Sequence, residues 1–134
     1  MQTSSESASV SRGSLWAGRV LSTLIVLFLA WDGVMKVMKV PMVIEGSAKF
    51  GYSANTIFGI GFALLVSTAL YAIPRTSILG AILLTGYLGG ATATHVRVGD
   101  MGNVPFPVIF GVLVWLGLFL RDKRLRALIP LRTQ

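Results

Sequence analysis

Four long apolar runs, separated by short polar breaks, organise the chain at about residues 15–37, 56–73, 77–96 and 104–120. Each is close to the roughly 17–25 apolar residues a helix needs to cross a hydrocarbon core about 30 Å thick. The first run holds Arg19 near its start and Asp32 and Lys36 near its end; the second carries no charge. The third is uncharged until His95, and the fourth stops at the basic cluster Arg121, Lys123, Arg124 and Arg126. None shows the alternation of a barrel strand, and in lipid only helices or closed barrels satisfy their own backbone. The pattern predicts an all-α fold, a membrane-embedded four-helix bundle.

The breaks carry their own signals. Residues 1–13, "MQTSSESASVSRG", are too polar to bury a core and read as a mobile tail, leaving residues 14–132 as the membrane domain. In the longest loop, about residues 38–55, Pro41 can open a short surface helix that ends near Gly51, and Ser53 is placed to cap the second span. The second loop, "IPRTS", is so short that the second and third spans must be antiparallel neighbours, with Thr76 or Ser77 restarting the helix. Gly99, Asp100, Gly102 and Asn103 turn the third loop, and Pro105 and Pro107 set up the last span. Beyond it, Leu125, Leu128 and Ile129 are expected on one face of a short basic helix resting on the membrane surface.

Composition supports this picture: 54% of residues are hydrophobic and 13% charged, with a mean hydropathy of +0.75, whereas soluble domains are about 25% charged. The net charge of +7 lies in the flanks of the spans, so the membrane rather than nucleic acid explains it. Arg12, Arg19, Arg75, Arg121, Lys123, Arg124, Arg126 and Arg132 fall on the side of both termini, against Lys36, Lys39, Lys49 and Arg97 on the other. This bias predicts both termini in the cytoplasm and a multi-pass protein of the cytoplasmic membrane. The apolar stretch Val20 to Ala30 is followed by Trp31, Asp32 and Gly33 instead of a small-residue cleavage site, so it reads as a retained helix and not a cleaved signal. The chain has no cysteine, which excludes disulfides, thiol chemistry and thiolate-held metal clusters supplied by this chain.

Small residues recur at helix-packing intervals: Gly86 and Gly90, Gly59 and Ala63, Ala63 and Ser67. In lipid such positions let backbones approach closely. The glycine-rich third span is therefore expected to be the central helix, with "GYLGGATAT" as its packing surface.

Ionisable groups within a membrane are costly and serve as functional candidates by default. Asp32 lies about 13 residues, or roughly 20 Å, beyond Arg19, and His95 lies near the same end of the third span, so both belong to the end of the bundle opposite the termini. Asp32 and Lys36 are spaced to pair on one helix face. Alternatively Asp32 faces inward toward His95 or Arg97, where a carboxylate would fix the imidazole tautomer and assist proton transfer. Asp32 and His95 are the candidate catalytic pair; Lys36, Arg97, Thr92 and Tyr87 are the candidate ligand-binding residues. One histidine without cysteine makes a poor zinc site, and nothing marks a haem pocket. No nucleophile elbow, phosphate loop or nucleotide fingerprint is present.

The blocks "IPRTSILGAILLTGYLGGATATHVRVGD" and "FGVLVWLGLFLRDKRLRALIPLR", with "WDGVMKV" and "GYSANTIFGIG", resemble the DoxX-like family of small four-helix membrane proteins over about residues 19–132. That resemblance implies a bundle in the cytoplasmic membrane and, through the family's association with thiosulfate:quinone oxidoreductase, a place beside membrane oxidoreductases; the cofactor is left open, with a quinone as the candidate and a redox protein as the candidate partner. Three functions are carried forward. The first is a protein holding a small hydrophobic ligand, a quinone or another lipid, in an outward-facing cavity rimmed by polar groups, as a subunit or accessory of a membrane redox system. The second is a self-contained membrane isomerase or hydrolase using Asp32 and His95. The third is a noncatalytic assembly or chaperone subunit. Membrane lipid, a redox partner and further copies of this chain are the partners considered.

Overall fold

The computed structural model describes residues 11–132, and all regular structure in them is helical. Most of the tail predicted over residues 1–13 lies outside the described residues. The elements are α1 (Arg12–Val37), α2 (Pro41–Ala48), α3 (Ala54–Ala72), α4 (Ser77–Arg97), α5 (Pro105–Arg121) and α6 (Lys123–Arg126). Helices α1, α3, α4 and α5, the last two with their preceding turns, are long and apolar enough to cross a membrane. Their boundaries lie within three residues of the predicted spans.

Each boundary has a local cause. Ser11 caps α1 by accepting from the Ser14 N–H at 3.1 Å, and Ser53 caps α3 through the Thr56 N–H at 3.3 Å. Pro41 and Pro105 occupy first-turn positions of α2 and α5, where a missing N–H costs nothing. Gly99, at φ +77, takes the left-handed conformation that stops α4. At the tight turn Pro74–Thr76, the Thr76 hydroxyl donates to Leu70 O and the Ser77 hydroxyl to Tyr71 O, each at 2.7 Å. Two side chains thus satisfy carbonyls left open at the end of α3 and bind α4 to it.

The four long helices form a ring: α1 packs on α3 and α5, and α4 packs on the same two. Among the described residues α1 and α4 make no close backbone approach and face each other across the diagonal. No helix is central, contrary to the expectation for the third span. Ile25 and Leu29 of α1, Leu64 and Tyr71 of α3, Leu84 of α4 and Val114 and Leu118 of α5 fill the interior. Many large apolar side chains, Leu24, Leu27, Phe62, Ile82 and Val112 among them, point outward, as the surface of a bundle solvated by lipid does.

The backbones meet at glycines other than those expected. A Cβ on Gly80 would lie 2.2 Å from the Tyr71 backbone nitrogen; one on Gly61 would lie 3.0 Å from Gly33 O; one on Gly18 would lie 2.9 Å from Gly117 O. Gly59, Gly86, Gly89 and Gly90 have open space instead. The third span's glycine-rich C-terminal half is therefore not a packing surface. Equal spacing cannot tell a face turned to a neighbouring helix from one turned to a void. Gly117 makes room for a buried polar link: the Tyr71 hydroxyl donates to Val114 O at 2.7 Å and lies 3.2 Å from the Ser22 hydroxyl, tying α3 to α5 and α1.

The basic helix after the fourth span is also shorter than expected. Asp122 caps α6, which ends at Arg126. Leu125 is buried in the bundle, whereas Leu128 and Ile129 follow the helix and are exposed. Arg126 fixes this path by donating to Phe119 O at 2.7 Å, to Leu120 O at 3.0 Å and to the Ser14 hydroxyl.

Candidate functional site: a cavity at the loop end of the bundle

A cavity of about 490 Å³ opens at the end of the bundle remote from α6. This is a volume typical of small-molecule sites. It exists because the C-terminal half of α4 presents Gly86, Gly90 and Ala91 toward the interior, where larger side chains would fill the space. Phe28 and Leu29 of α1, Ile57 and Ile60 of α3, Leu88 of α4 and Phe110 of α5 supply its apolar walls. Asp32, Lys36, Tyr87, Thr94 and His95 contribute polar groups, and Ser47, Phe50 and Tyr52 reach it from the loop between α1 and α3.

That loop is tied to the end of α4. The hydroxyls of Tyr52 and Thr94 lie 2.8 Å apart, and the Arg97 guanidinium donates to Phe50 O at 2.5 Å. The Phe50 and His95 rings meet edge to face with centroids 4.9 Å apart, a favourable aromatic geometry. Lys49 stands 3.8 Å from the Asp100 carboxylate.

The polar groups fall into two separate pairs. Lys36 Nζ lies 2.5 Å from Asp32 Oδ2, closing an i,i+4 ion pair along α1 with both side chains partly buried. His95 Nδ1 lies 3.0 Å from Asp100 Oδ2. An ionised carboxylate only accepts, so Nδ1 carries the proton and Nε2 is the acceptor of the neutral ring. The Asp100 carboxyl is held below its ordinary pKa, first by the Asn103 amide, which donates to both oxygens at 2.9 Å, then by His95 and the nearby Lys49 ammonium. Partial desolvation opposes that shift.

The direct meeting of Asp32 with His95 or Arg97 does not occur: Asp32 is held by Lys36, His95 by Asp100, and Arg97 by Phe50 O. Asp32 and His95 still line one cavity, from diagonally opposed helices. Of the six candidate residues, Asp32, Lys36, Tyr87 and His95 line it. Arg97 acts on the roof from outside. Thr92 lies on another side of α4, in a groove against α5 with Trp115, and donates to Leu88 O at 2.8 Å. Its place on the cavity face is taken by Thr94. Thr94 lies seven residues after Tyr87, on the same helical face, and that spacing was the available signal for it. Phe50 and Tyr52 had no signal beyond the length of their loop. Among the described residues no three histidine, aspartate or glutamate side chains converge as a metal site.

A family model for DoxX-like proteins matches residues 20–117. This chain belongs to the DoxX-like family. No curated protein and no solved structure matches it. Every lining residue of the cavity in this DoxX-like protein, from Phe28 to Phe110, falls inside the matched region. The basic residues Arg121, Lys123 and Arg124 lie beyond it.

Proposed function

We propose that this DoxX-like membrane protein holds a small amphipathic ligand, a quinone or another lipid, in the cavity at its loop end, and serves a membrane redox system as a subunit or accessory. The observation that carries the reading is the cavity's two-sided chemistry. Its walls are aromatic and aliphatic, while the Asp32–Lys36 pair of α1 and Tyr87 and His95 of α4 supply hydrogen-bonding groups from opposed helices. A ring or chain would rest against Phe28, Leu29 and Phe110, and a carbonyl or hydroxyl oxygen would meet Tyr87 or His95. His95, with Nδ1 committed to Asp100, offers Nε2 as a proton acceptor. The excess of basic residues on the side of the termini orients the cavity outward in the cytoplasmic membrane, with both termini inside. The separate pairing of Asp32 and His95, and the open space at Gly86 and Gly90, support this reading over an isomerase or hydrolase built on Asp32 with His95 and over an assembly subunit packed through those glycines.

Gly90→Leu tests this reading. Gly90 borders the cavity and a Cβ there meets nothing within 4 Å, so leucine is expected to extend into the cavity without straining the helix. Purified wild-type protein is expected to carry a quinone or lipid by mass spectrometry and to gain thermal stability with a short-chain quinone, and Gly90→Leu to lose both while remaining folded. No bound molecule and no shift in the wild type would overturn the proposal.

A further inference from the structure

The opposite end of the bundle holds a second concavity with different chemistry. A cleft of about 530 Å³ lies where α1 enters and α5 leaves the membrane-spanning region, lined by Arg19, Arg121, Lys123 and Arg124 with Ser77 and Pro74. The one acidic side chain in the cleft, Asp122, is used locally: its carboxylate accepts the Arg124 and Leu125 N–H groups at the start of α6. Among the described residues none of the four cations lies within ion-pair distance of a carboxylate. Arg121 is the telling member. Its guanidinium stands over the Tyr71 ring at 5.6 Å, but its Nε is buried and has no hydrogen-bond partner among the described residues. Arg126, close by, has its Nε and Nη2 donors satisfied by two carbonyls and a hydroxyl, so the fold can supply acceptors to an arginine at this end when structure alone requires it. A buried guanidinium donor without an acceptor is unfavourable, and an anion in the cleft would offset that cost.

A third concavity adjoins this cleft and shares Arg19, Arg121 and Pro74 with it. It runs along α1 and α3 past Val26, Leu27 and Ala72 and is mostly apolar. A concentrated positive charge continuous with an apolar groove on a lipid-facing surface matches a molecule with an anionic head and a hydrocarbon tail. We propose that this cleft is a binding site for the phosphate headgroup of an anionic lipid, with Arg19, Arg121, Lys123 and Arg124 around the phosphate and one acyl chain in the adjoining groove. The site is separate from the cavity at the loop end and does not depend on the function assigned to it.

The test uses the delipidated full-length protein in detergent with phosphatidylglycerol, phosphatidylcholine of the same chains, or inorganic phosphate, read by native mass spectrometry and thermal shift. Phosphatidylglycerol is expected to bind at one equivalent and stabilise the protein, phosphatidylcholine to do neither, and inorganic phosphate to give no comparable shift. Arg121→Gln should weaken the phosphatidylglycerol affinity about fivefold, and the exposed pair Lys123→Gln with Arg124→Gln more than that, each lost cation counting about fivefold. The exposed pair carries the test if Arg121→Gln does not fold. Arg75→Gln removes a cation at the same end but outside the cleft and should leave binding unchanged. Equal binding of the two lipids overturns the site, as does an Arg75→Gln loss matching that of the cleft variants. A shift with inorganic phosphate equal to that with phosphatidylglycerol overturns the lipid and leaves a free-anion site.

Discussion

At the scale of single residues, position in space separates side chains that look alike along the chain. Gly80 and Gly86 stand six residues apart in one helix, yet a methyl group on Gly80 would collide with the Tyr71 backbone at 2.2 Å while one on Gly86 meets nothing within 4 Å. Backbone cannot give way as a flexible side chain does, so Gly80→Ala is expected to destabilise by about 3 kcal/mol, the upper part of the overpacking range. Gly86→Ala should be neutral, and thermal unfolding of the two variants in the same detergent checks both. Asp100 gives a prediction in pH. Its carboxyl is held low, chiefly by Asn103 and then by His95 and Lys49, so the unfolded chain takes up its proton before the folded one does. Its contribution is therefore full above the ordinary carboxylate range and is lost as pH falls through that range toward the lowered value. Asp100→Asn should flatten the acid limb of the stability profile, and an unchanged limb would assign acid sensitivity elsewhere.

At the scale of elements, caps and turns were legible because their chemistry is local. Ser53, Pro41 and Pro105 each act within a few residues of themselves, and the structure places each where its residue type asks, whereas Thr76 and Ser77, expected to cap α4, donate back to carbonyls of α3 instead. The reach of a loop is not local. The α2 segment becomes the cavity's roof through Tyr52 to Thr94 and Arg97 to Phe50 O, contacts spanning more than forty positions in sequence. Joint substitution Tyr52→Phe with Arg97→Gln should release that roof: amide exchange across residues 41–52 should quicken while exchange in the cores of α1 and α3 stays unchanged. Equal protection in variant and wild type would mean that the Phe50–His95 and Lys49–Asp100 contacts hold the roof without them. The predicted basic surface helix failed for a related reason. Its apolar spacing suited a helix, but Leu125 found a buried site and Arg126 bonded back to α5, which ended the helix before Leu128.

For the whole molecule, the bias of basic residues toward the termini predicts that the cavity lies on the outer face of the membrane. The chain has no cysteine, so single cysteines report without background. Gly46→Cys and Gly102→Cys stand at the cavity end and Gly13→Cys at the other, all without neighbours to disturb. An impermeant maleimide applied to intact cells should label Gly46→Cys and Gly102→Cys, and Gly13→Cys only after permeabilisation. The reverse pattern would turn the cavity inward.

Four spans, their order, the Ser53 cap and the two polar ends follow from the sequence by itself, because span length, hydropathy and turn chemistry are properties of contiguous residues. The resemblance to DoxX-like proteins was legible for the same reason. Which way each helix faces is a property of the assembled ring. Only the tertiary structure decided that α1 and α4 oppose each other across a diagonal, that Gly86 and Gly90 border a void while Gly80 and Gly117 make the close contacts, and that Thr94 faces the cavity where Thr92 does not. The physical reason lies in the amphipathicity of the spans. Lipid tails and packed neighbours are equally apolar, so a membrane helix carries little of the inside–outside contrast by which a soluble helix declares its buried face.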